Sequence, residues 1–354
     1  MDIYGVGVLP LIEDLKRHVP EVWQPWYADD SGGGGTFAAI RRFFERLCEK
    51  GPGRGYFPEP SKSVLVVAAH NVERAKAPFA DLNFKVVMGS RYLGGFVGEA
   101  AAQASWVEDK ASSWAEAVGE LAVVAKRFPQ TAYAGLQKSL QQEWQFVQRV
   151  TPGIGAAFAA IEASIRDRFL PALFGEEKAA DPTVRTLASL PVKATGLALP
   201  DPTTSSAANY TASTVCCTHL VQMLRGHTPF RNADHVMVMC CAKQELRAVC
   251  NTADKQVLAA ELAKLDPKTC RMVERARETG SWLSVTPTAV CGFELFQLRS
   301  SATACGFAMG CFRRSSRRSA MAVAPPSPST THLIACAVAW SSVVTTTLSA
   351  SSPT

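Results

Sequence analysis

The sequence has no continuous apolar segment of about 18 residues, the length that a membrane-spanning helix needs, so it predicts no transmembrane helix. It begins Met-Asp-Ile-Tyr, without the basic stretch followed by an apolar one that marks a secretory signal. Its 11 cysteines include no Cys-x-x-Cys pair, which is the usual spacing in structural zinc sites. We therefore expect a nuclear or cytoplasmic chain, not a secreted one, with reduced cysteines and no membrane partner.

Charged residues are also scarce, at 19% of the 354 residues, whereas hydrophobic residues make up 47%. This balance gives most of the chain enough apolar side chains for a core, and the length suits two or three small domains. Lys and Arg outnumber Asp and Glu by 37 to 31, for a net charge of +6. Such an excess permits binding to nucleic acid without requiring it.

Composition divides the chain into four stretches, which we take as domain predictions. The first mixes apolar runs with glycine turns, the second is alanine-rich and helical, and the third is helical but more polar. The last has Ser, Thr and Ala clusters without hydrophobic period, so we expect it to be disordered. Their bounds are 1–98, 99–175, 176–296 and 297–354.

Hydrophobic periodicity and turn residues predict the elements within these stretches. Thr36 is placed to cap one helix, and the Asp266-Pro267 pair ends one helix and begins the next. The predicted helices are 10–19, 37–50, 98–128, 131–150, 154–174, 254–265 and 267–279. The predicted strands are 63–69, 84–88 and a strand broken by two glycines at 91–97, of which the first is expected to be buried.

The sequence Tyr27-Ala28-Asp29-Asp30 is the motif most suggestive of chemistry. An extended aromatic segment precedes it and a glycine-rich turn at 31–35 follows it, which predicts a hairpin with the aspartates at its tip. Carboxylate oxygens are the ligands that Mg²⁺ prefers. Two such ions, about 4 Å apart, can hold the attacking and leaving oxygens of a phosphoryl or nucleotidyl transfer. The alternative is that Asp-Asp before Ser-Gly-Gly is an ordinary turn.

Further motifs follow this hairpin in a defined order. A helix comes next, then Gly-Tyr-Phe-Pro-Glu-Pro-Ser-Lys-Ser at 55–63 leading into a strand, then Val-Met-Gly-Ser-Arg-Tyr-Leu-Gly-Gly at 87–95. This order resembles the palm of reverse transcriptases of non-LTR retrotransposons, of the type with a restriction-like endonuclease. Residues beyond the palm look like the thumb region of this family: Trp106, Lys110, Trp114, Leu121, 128–134, Glu143, Trp144, Arg149, 169–173 and 190–197.

The resemblance, which covers about residues 1–296, implies roles for individual residues. Asp29 and Asp30 would be the catalytic carboxylates that hold Mg²⁺ or Mn²⁺, and Lys62 would be the general acid toward the leaving pyrophosphate. Nucleic acid would be bound by Tyr27, beside the primer end, and by a primer grip of Tyr92, Leu93 and Gly94. For Lys62 the alternative is a solvated loop lysine, and for the grip it is an ordinary strand with a glycine bulge.

The resemblance further implies an α+β fold: a partial palm over 1–98, a helical thumb over 99–175 and a helical connection region over 176–296. The function implied is that of a fragment of an RNA-directed DNA polymerase, with an RNA template, a DNA primer and dNTP as partners. The metal site of the family needs a third aspartate from an earlier strand. Only Asp2 and Asp14 precede the hairpin, and neither is on a plausible strand.

We therefore expect an N-terminally truncated chain that binds metal weakly, is inactive alone and has an upstream palm and fingers fragment as candidate partner.

The tail 297–354 lacks the zinc knuckle of the family. When degenerate codons for this tail are translated in a shifted reading frame, they permit residues typical of the family, such as Cys-Asp-Gly-Cys-Gly-Ala at the codons of 319–324. We therefore hypothesise a frameshift. The alternative functions are a nonspecific nucleic-acid-binding relic and a structural helical protein without catalysis.

Two smaller groups of residues each allow a functional and a structural interpretation. Three histidines close to the paired cysteines invite a zinc site, but their spacing fits no common cluster. The three tryptophans of the second stretch are predicted to be core residues rather than stacking platforms for bases. The residues concerned are His219, His227 and His235, and Trp106, Trp114 and Trp144.

Overall fold

The computed structural model describes residues 2–27, 30–229 and 231–279. It is mostly helical with few short strands, which is compatible with the expected α+β class. The described residues fall into two compact units, 2–103 and 104–279. The predicted tail 297–354, with its expected disorder and frameshift, lies outside the described residues, as do residues 280–296 of the third predicted stretch.

The first unit has three helices, the start of a fourth and three separate pairs of strands. The helices are α1 (Asp2–His18), α2 (Phe37–Lys50), α3 (Val72–Lys76) and the first turn of α4 (Ala100–Ala125). The strands are β1 (Trp26–Tyr27), β2 (Asp30–Ser31), β3 (Val64–Val66), β4 (Lys85–Val87), β5 (Gly89–Tyr92) and β6 (Gly95–Gly98). β1 pairs with β2 and β5 with β6 in antiparallel fashion, whereas β3 and β4 are parallel.

Helices α1 and α2 supply most of the core of this unit. The helix predicted at 37–50 is confirmed as α2, and its Ile40, Phe43 and Leu47 are buried against α1 residues such as Leu11 and Leu15. The cap is confirmed too: the Thr36 hydroxyl accepts a hydrogen bond from the Ala39 amide at 3.3 Å. These contacts fix the start of α2 directly after the glycine-rich turn.

Three element predictions in this unit need correction. α1 begins at Asp2 rather than at Pro10, which lies inside the helix, and Val8 of the added turns is buried in the same core. The predicted buried strand 63–69 is shorter, Val64–Val66, and it is not fully buried, since Val64 is exposed and β3 has β4 as its one partner among the described residues. The predicted broken strand 91–97 is the β5–β6 hairpin.

The second unit is helical throughout. After α4 come α5 (Pro129–Gly135) and α6 (Gln141–Val150), joined by a π-helical turn at Leu136–Leu140. α7 (Ala159–Ser164) and α8 (Leu170–Phe174) are joined in the same way by Ile165–Phe169. Then follow α9 (Glu176–Ala179), α10 (Pro182–Ser189), α11 (Pro202–Leu224), α12 (Asn232–Leu262) and α13 (Pro267–Thr279).

The three helices predicted for the alanine-rich stretch are confirmed, with the π-helical turns as additions. One core runs from Val107 to Leu199 across the boundary drawn at residue 175. Trp114 and Trp144 are buried in it and Trp106 packs against it, as predicted for core tryptophans. The Asp266-Pro267 junction is also confirmed, since the Asp266 carboxylate accepts the Lys268 amide at 2.9 Å.

The loop between α10 and α11 is held by polar side chains of the surrounding helices. Tyr133 donates its hydroxyl to the Leu197 carbonyl at 2.9 Å, and Gln141 donates to the Ala198 carbonyl at 3.1 Å. Such bonds satisfy carbonyls that an irregular buried segment would otherwise leave without partners. At the end of the loop, Gln148 donates to the carbonyl of Pro202, the first residue of α11, at 2.8 Å.

Burial of Tyr133 predicts an alkaline loss of stability. Desolvation raises its pKa from 10.0 to about 12, so the folded state favours the neutral phenol. The stability gained from the neutral Tyr133 phenol is fully present below pH 10, the pKa of tyrosine in the unfolded chain. It is lost as pH rises from there through about 12. Urea unfolding between pH 8 and pH 12 should show a smaller alkaline decline for Tyr133→Phe than for the natural chain. Equal declines in the two chains would contradict this role.

Candidate functional site

The hairpin predicted around the Asp-Asp motif is present. β1 and β2 pair Trp26 with Ser31 and Tyr27 with Asp30. A further bridge continues the ladder, since the amides of Trp23 and Gly34 each donate to the other's carbonyl, at 2.9 and 2.8 Å. Asp30 is exposed beside the tip, whereas Asp29 lies outside the described residues.

A tyrosine from the next loop anchors this hairpin. The Tyr56 hydroxyl lies 2.7 Å from the Ser31 hydroxyl oxygen, and the Tyr56 ring meets the edge of Trp26 with centroids 5.5 Å apart. Gly51 allows the Tyr56 backbone to pack close to it, because a Cβ at residue 51 would lie 2.5 Å from the Tyr56 carbonyl oxygen. Tyr56 was not among the predicted site residues. The one sequence feature that could have indicated it is the aromatic pair at 56–57, directly before the Pro-rich segment that contains Lys62.

The expected primer grip forms the second hairpin, with Tyr92 opposite Gly95. Leu93 and Gly94 make its two-residue turn with φ of +46° and +83°. Positive φ at both central residues is the pattern of a type I′ turn, whose twist suits a tight hairpin. Gly94 adopts this conformation freely, but Leu93 is strained in it, because the Cβ of an L-residue crowds the backbone there.

The charge of Asp30 acts on the second hairpin at Tyr92. Burial raises the pKa of Tyr92, and the negative charge of Asp30 raises it further, with a smaller contribution from Tyr56. Two α-helices and the β3–β4 pair separate Asp30 from Tyr92 along the chain.

Lys62 lies apart from this pair. It ends the short 3₁₀ turn Pro60–Lys62, its side chain is 79% exposed, and its ammonium nitrogen is 2.6 Å from a Glu59 carboxylate oxygen. Within the described part of the chain it makes no hydrogen bond or ion pair with Asp30. To act on a leaving group, Lys62 would first have to leave Glu59.

One of the two aspartates that precede the hairpin is engaged in an ion pair. Asp14, on α1, accepts two hydrogen bonds from the Arg46 guanidinium, at 2.8 and 2.9 Å, and Arg46 lowers the pKa of Asp14. The residues that the structure describes contain no cluster of three or more His, Cys, Asp or Glu side chains fit to hold a metal ion. His219 on α11 and His235 on α12 stack with their ring centroids 6.3 Å apart.

Strain at Leu93 gives a test of the turn geometry. Leu93→Gly and Leu93→Ala both remove the side chain, but only glycine relaxes at φ +46°, so the Gly variant should be more stable by about 1 kcal/mol. The difference is measurable by urea unfolding of the two variants. At negative φ an Ala variant is usually more stable than a Gly variant. If Leu93→Ala were the more stable of the two, residue 93 would not have the positive φ of this turn.

Comparison of the chain with protein-family models, curated proteins and solved structures finds no match. None of the helices in the described ranges has the length and apolar character needed to cross a membrane.

Proposed function

We propose that this chain is a fragment of an RNA-directed DNA polymerase of a retroelement, which holds nucleic acid and does not polymerise on its own. The observation that supports this proposal is the presence of the two hairpins in this order, with the charge of Asp30 in the first raising the pKa of Tyr92 in the second. A polymerase palm needs its carboxylates beside the element that holds the primer end.

Within this proposal Asp29 and Asp30 supply carboxylate oxygens for Mg²⁺ or Mn²⁺. Hard cations of this kind are held by several oxygen ligands in a preset arrangement. Asp14 is bound to Arg46, so it does not serve as a third carboxylate. In this proposal the set is incomplete for a two-ion site, and we expect weak metal binding and no catalytic step by this chain alone.

The proposed partners are an RNA template, a DNA primer and, in the complete enzyme, dNTP. Tyr27 would lie beside the primer end, and the turn of Leu93 and Gly94 would contact its backbone. β1 and β2 form a sheet of only two strands among the described residues. An unpaired sheet edge can accept a strand, so an upstream palm and fingers fragment is the proposed completing partner.

Primer extension tests the catalytic part of the proposal. The full chain is incubated with a DNA primer on an RNA template, dNTP and Mg²⁺ or Mn²⁺, beside Asp29→Ala/Asp30→Ala. We expect no extension from either protein, with circular dichroism showing that both are folded. Extension by the natural chain that the double change abolishes would mean that the active site is complete.

A second candidate function is nonspecific binding to nucleic acid without any polymerase ancestry, which the net charge of +6 favours. It predicts similar affinity for DNA duplexes and RNA–DNA hybrids of matched length, because the two carry similar charge density. A retained palm and thumb predict instead a preference for the hybrid.

A further inference from the structure

We propose that the middle of α12 pairs in antiparallel fashion with the same helix of a second copy of this chain. α12 has 31 residues, yet none of those from 243 to 257 is buried. This stretch makes about four turns. A helix gains most of its stability in water from packing of one face against a partner, so an unburied stretch of this length is expected to have one. The pairing does not depend on the polymerase function proposed above.

One side of this stretch, the apolar face of α12, carries no polar residue. Its members follow one another at helical spacing, which places them along one side of the helix. They are Leu246, Val249, Cys250, Ala253 and Val257. Val249 is 68% exposed and Val257 is 38% exposed. The same side is buried earlier in the helix, at His235, Met239 and Ala242, so one continuous side of α12 is covered in its first half and uncovered in its second.

Two opposite charges lie beside the apolar face, on the same flank. Arg247 and Asp254 are seven residues apart, which is two turns or about 10.5 Å along the axis. They are too far apart to pair with each other. Among the residues that the structure describes, neither makes a hydrogen bond or an ion pair. Each is therefore available to an opposite charge on another chain.

A second copy of α12 complements this pattern of charges. In a two-fold pairing, residue i contacts residue j and residue j contacts residue i. When Leu246 of one antiparallel helix lies opposite Val257 of the second copy, Arg247 of each copy lies beside Asp254 of the other, which gives two ion pairs. Charges that flank an apolar seam set the partner and the orientation of paired helices. A parallel pairing would place Arg247 beside Arg247 and Asp254 beside Asp254, so the charges favour the antiparallel one.

Charge reversal tests the pairing. Analytical ultracentrifugation gives the dimer dissociation constant of the full natural chain, of Arg247→Glu, of Asp254→Arg and of an equal mixture of the two variants. Each single change places like charges opposite each other twice in the dimer, so it should raise the dissociation constant about tenfold. In the mixture, the reversed charge of one variant faces an opposite charge of the other. Heterodimers should therefore form with an affinity close to that of the natural dimer.

The matched controls are Lys255→Glu and Glu245→Arg, which reverse one charge each on exposed residues of α12 outside the apolar face and its charged flank. They should leave the dissociation constant close to the natural value, and circular dichroism should show that every variant is folded. A natural chain that stays monomeric would overturn the pairing and would mean that a different partner covers this face. Single reversals that weaken the dimer no more than the controls do, or a mixture that restores nothing, would overturn it too. None of these results bears on primer extension.

Discussion

Replacement of Arg185 by Met is expected to lower the free energy of unfolding by about 3–5 kcal/mol. Arg185 on α10 and Glu162 on α7 form a two-point ion pair, with nitrogen–oxygen distances of 2.7 and 2.6 Å, and their side chains are only 11% and 15% exposed. Arg185 also donates to the Leu199 carbonyl at 2.8 Å. Methionine fills the volume but leaves the Glu162 carboxylate buried without its counter-charge.

Two controls separate lost charge pairing from lost packing. Arg185→Met/Glu162→Leu removes both charges and should recover most of the stability, because an apolar pair of similar volume avoids the unpaired carboxylate. Arg166→Met breaks a pair with Asp167 in which both side chains are more than half exposed, and it should cost less than about 1 kcal/mol. Urea unfolding followed by circular dichroism gives all three values. A double variant as unstable as the single one would refute the explanation.

Trp144→Ala is expected to cost about 3–5 kcal/mol, the range for removing a large aromatic side chain from a core. Trp144 on α6 is 2% exposed. Its ring centroid is 6.4 Å from that of Trp114, whose other neighbour, Phe158, stacks on it at 6.5 Å. Truncation would leave a cavity at the centre of the second unit that rigid helices cannot close fully.

The conservative change Trp144→Phe decides between a core role and a role in stacking on bases. It should retain the fold and leave affinity for single-stranded RNA unchanged. Phe57→Ala serves as the control for truncation at the surface, since Phe57 is 75% exposed and its loss should change stability by less than about 0.5 kcal/mol. A folded Trp144→Phe variant with weakened RNA binding would contradict the core assignment.

Local sequence signals were sufficient for several elements. The cap at Thr36 and the Asp266-Pro267 junction depend on a few neighbouring residues, so they could be predicted at the residue level. The same holds for the hairpin at Tyr27 and Asp30, which an aromatic strand and a glycine turn mark. Helix α2 could be predicted from its apolar period, because one face of that helix is buried and the other is not.

Other features depend on residues distant in the chain and could not be predicted. The prediction placed a helix at 254–265, whereas α12 is Asn232–Leu262. Over its 31 residues only Met239 and Leu258 are large apolar residues that become buried, and the other buried residues are His235, Ala242 and Glu261, so no period of large apolar residues reveals the helix. The Arg46–Asp14 pair and the contact of Tyr56 with Ser31 join separate elements. They follow from packing that no local pattern encodes.

Affinity for an RNA–DNA hybrid tests the central claim most directly. The hybrid and a DNA duplex of the same sequence are titrated with the natural chain, with Tyr92→Ala and with the control Tyr4→Ala, which truncates an exposed tyrosine of α1. We predict tighter binding of the hybrid than of the duplex, and a loss of about tenfold, or 1.4 kcal/mol, in Tyr92→Ala alone. A folded natural chain that binds neither, or binds both equally with no effect of Tyr92→Ala, would contradict the account of a retained polymerase palm.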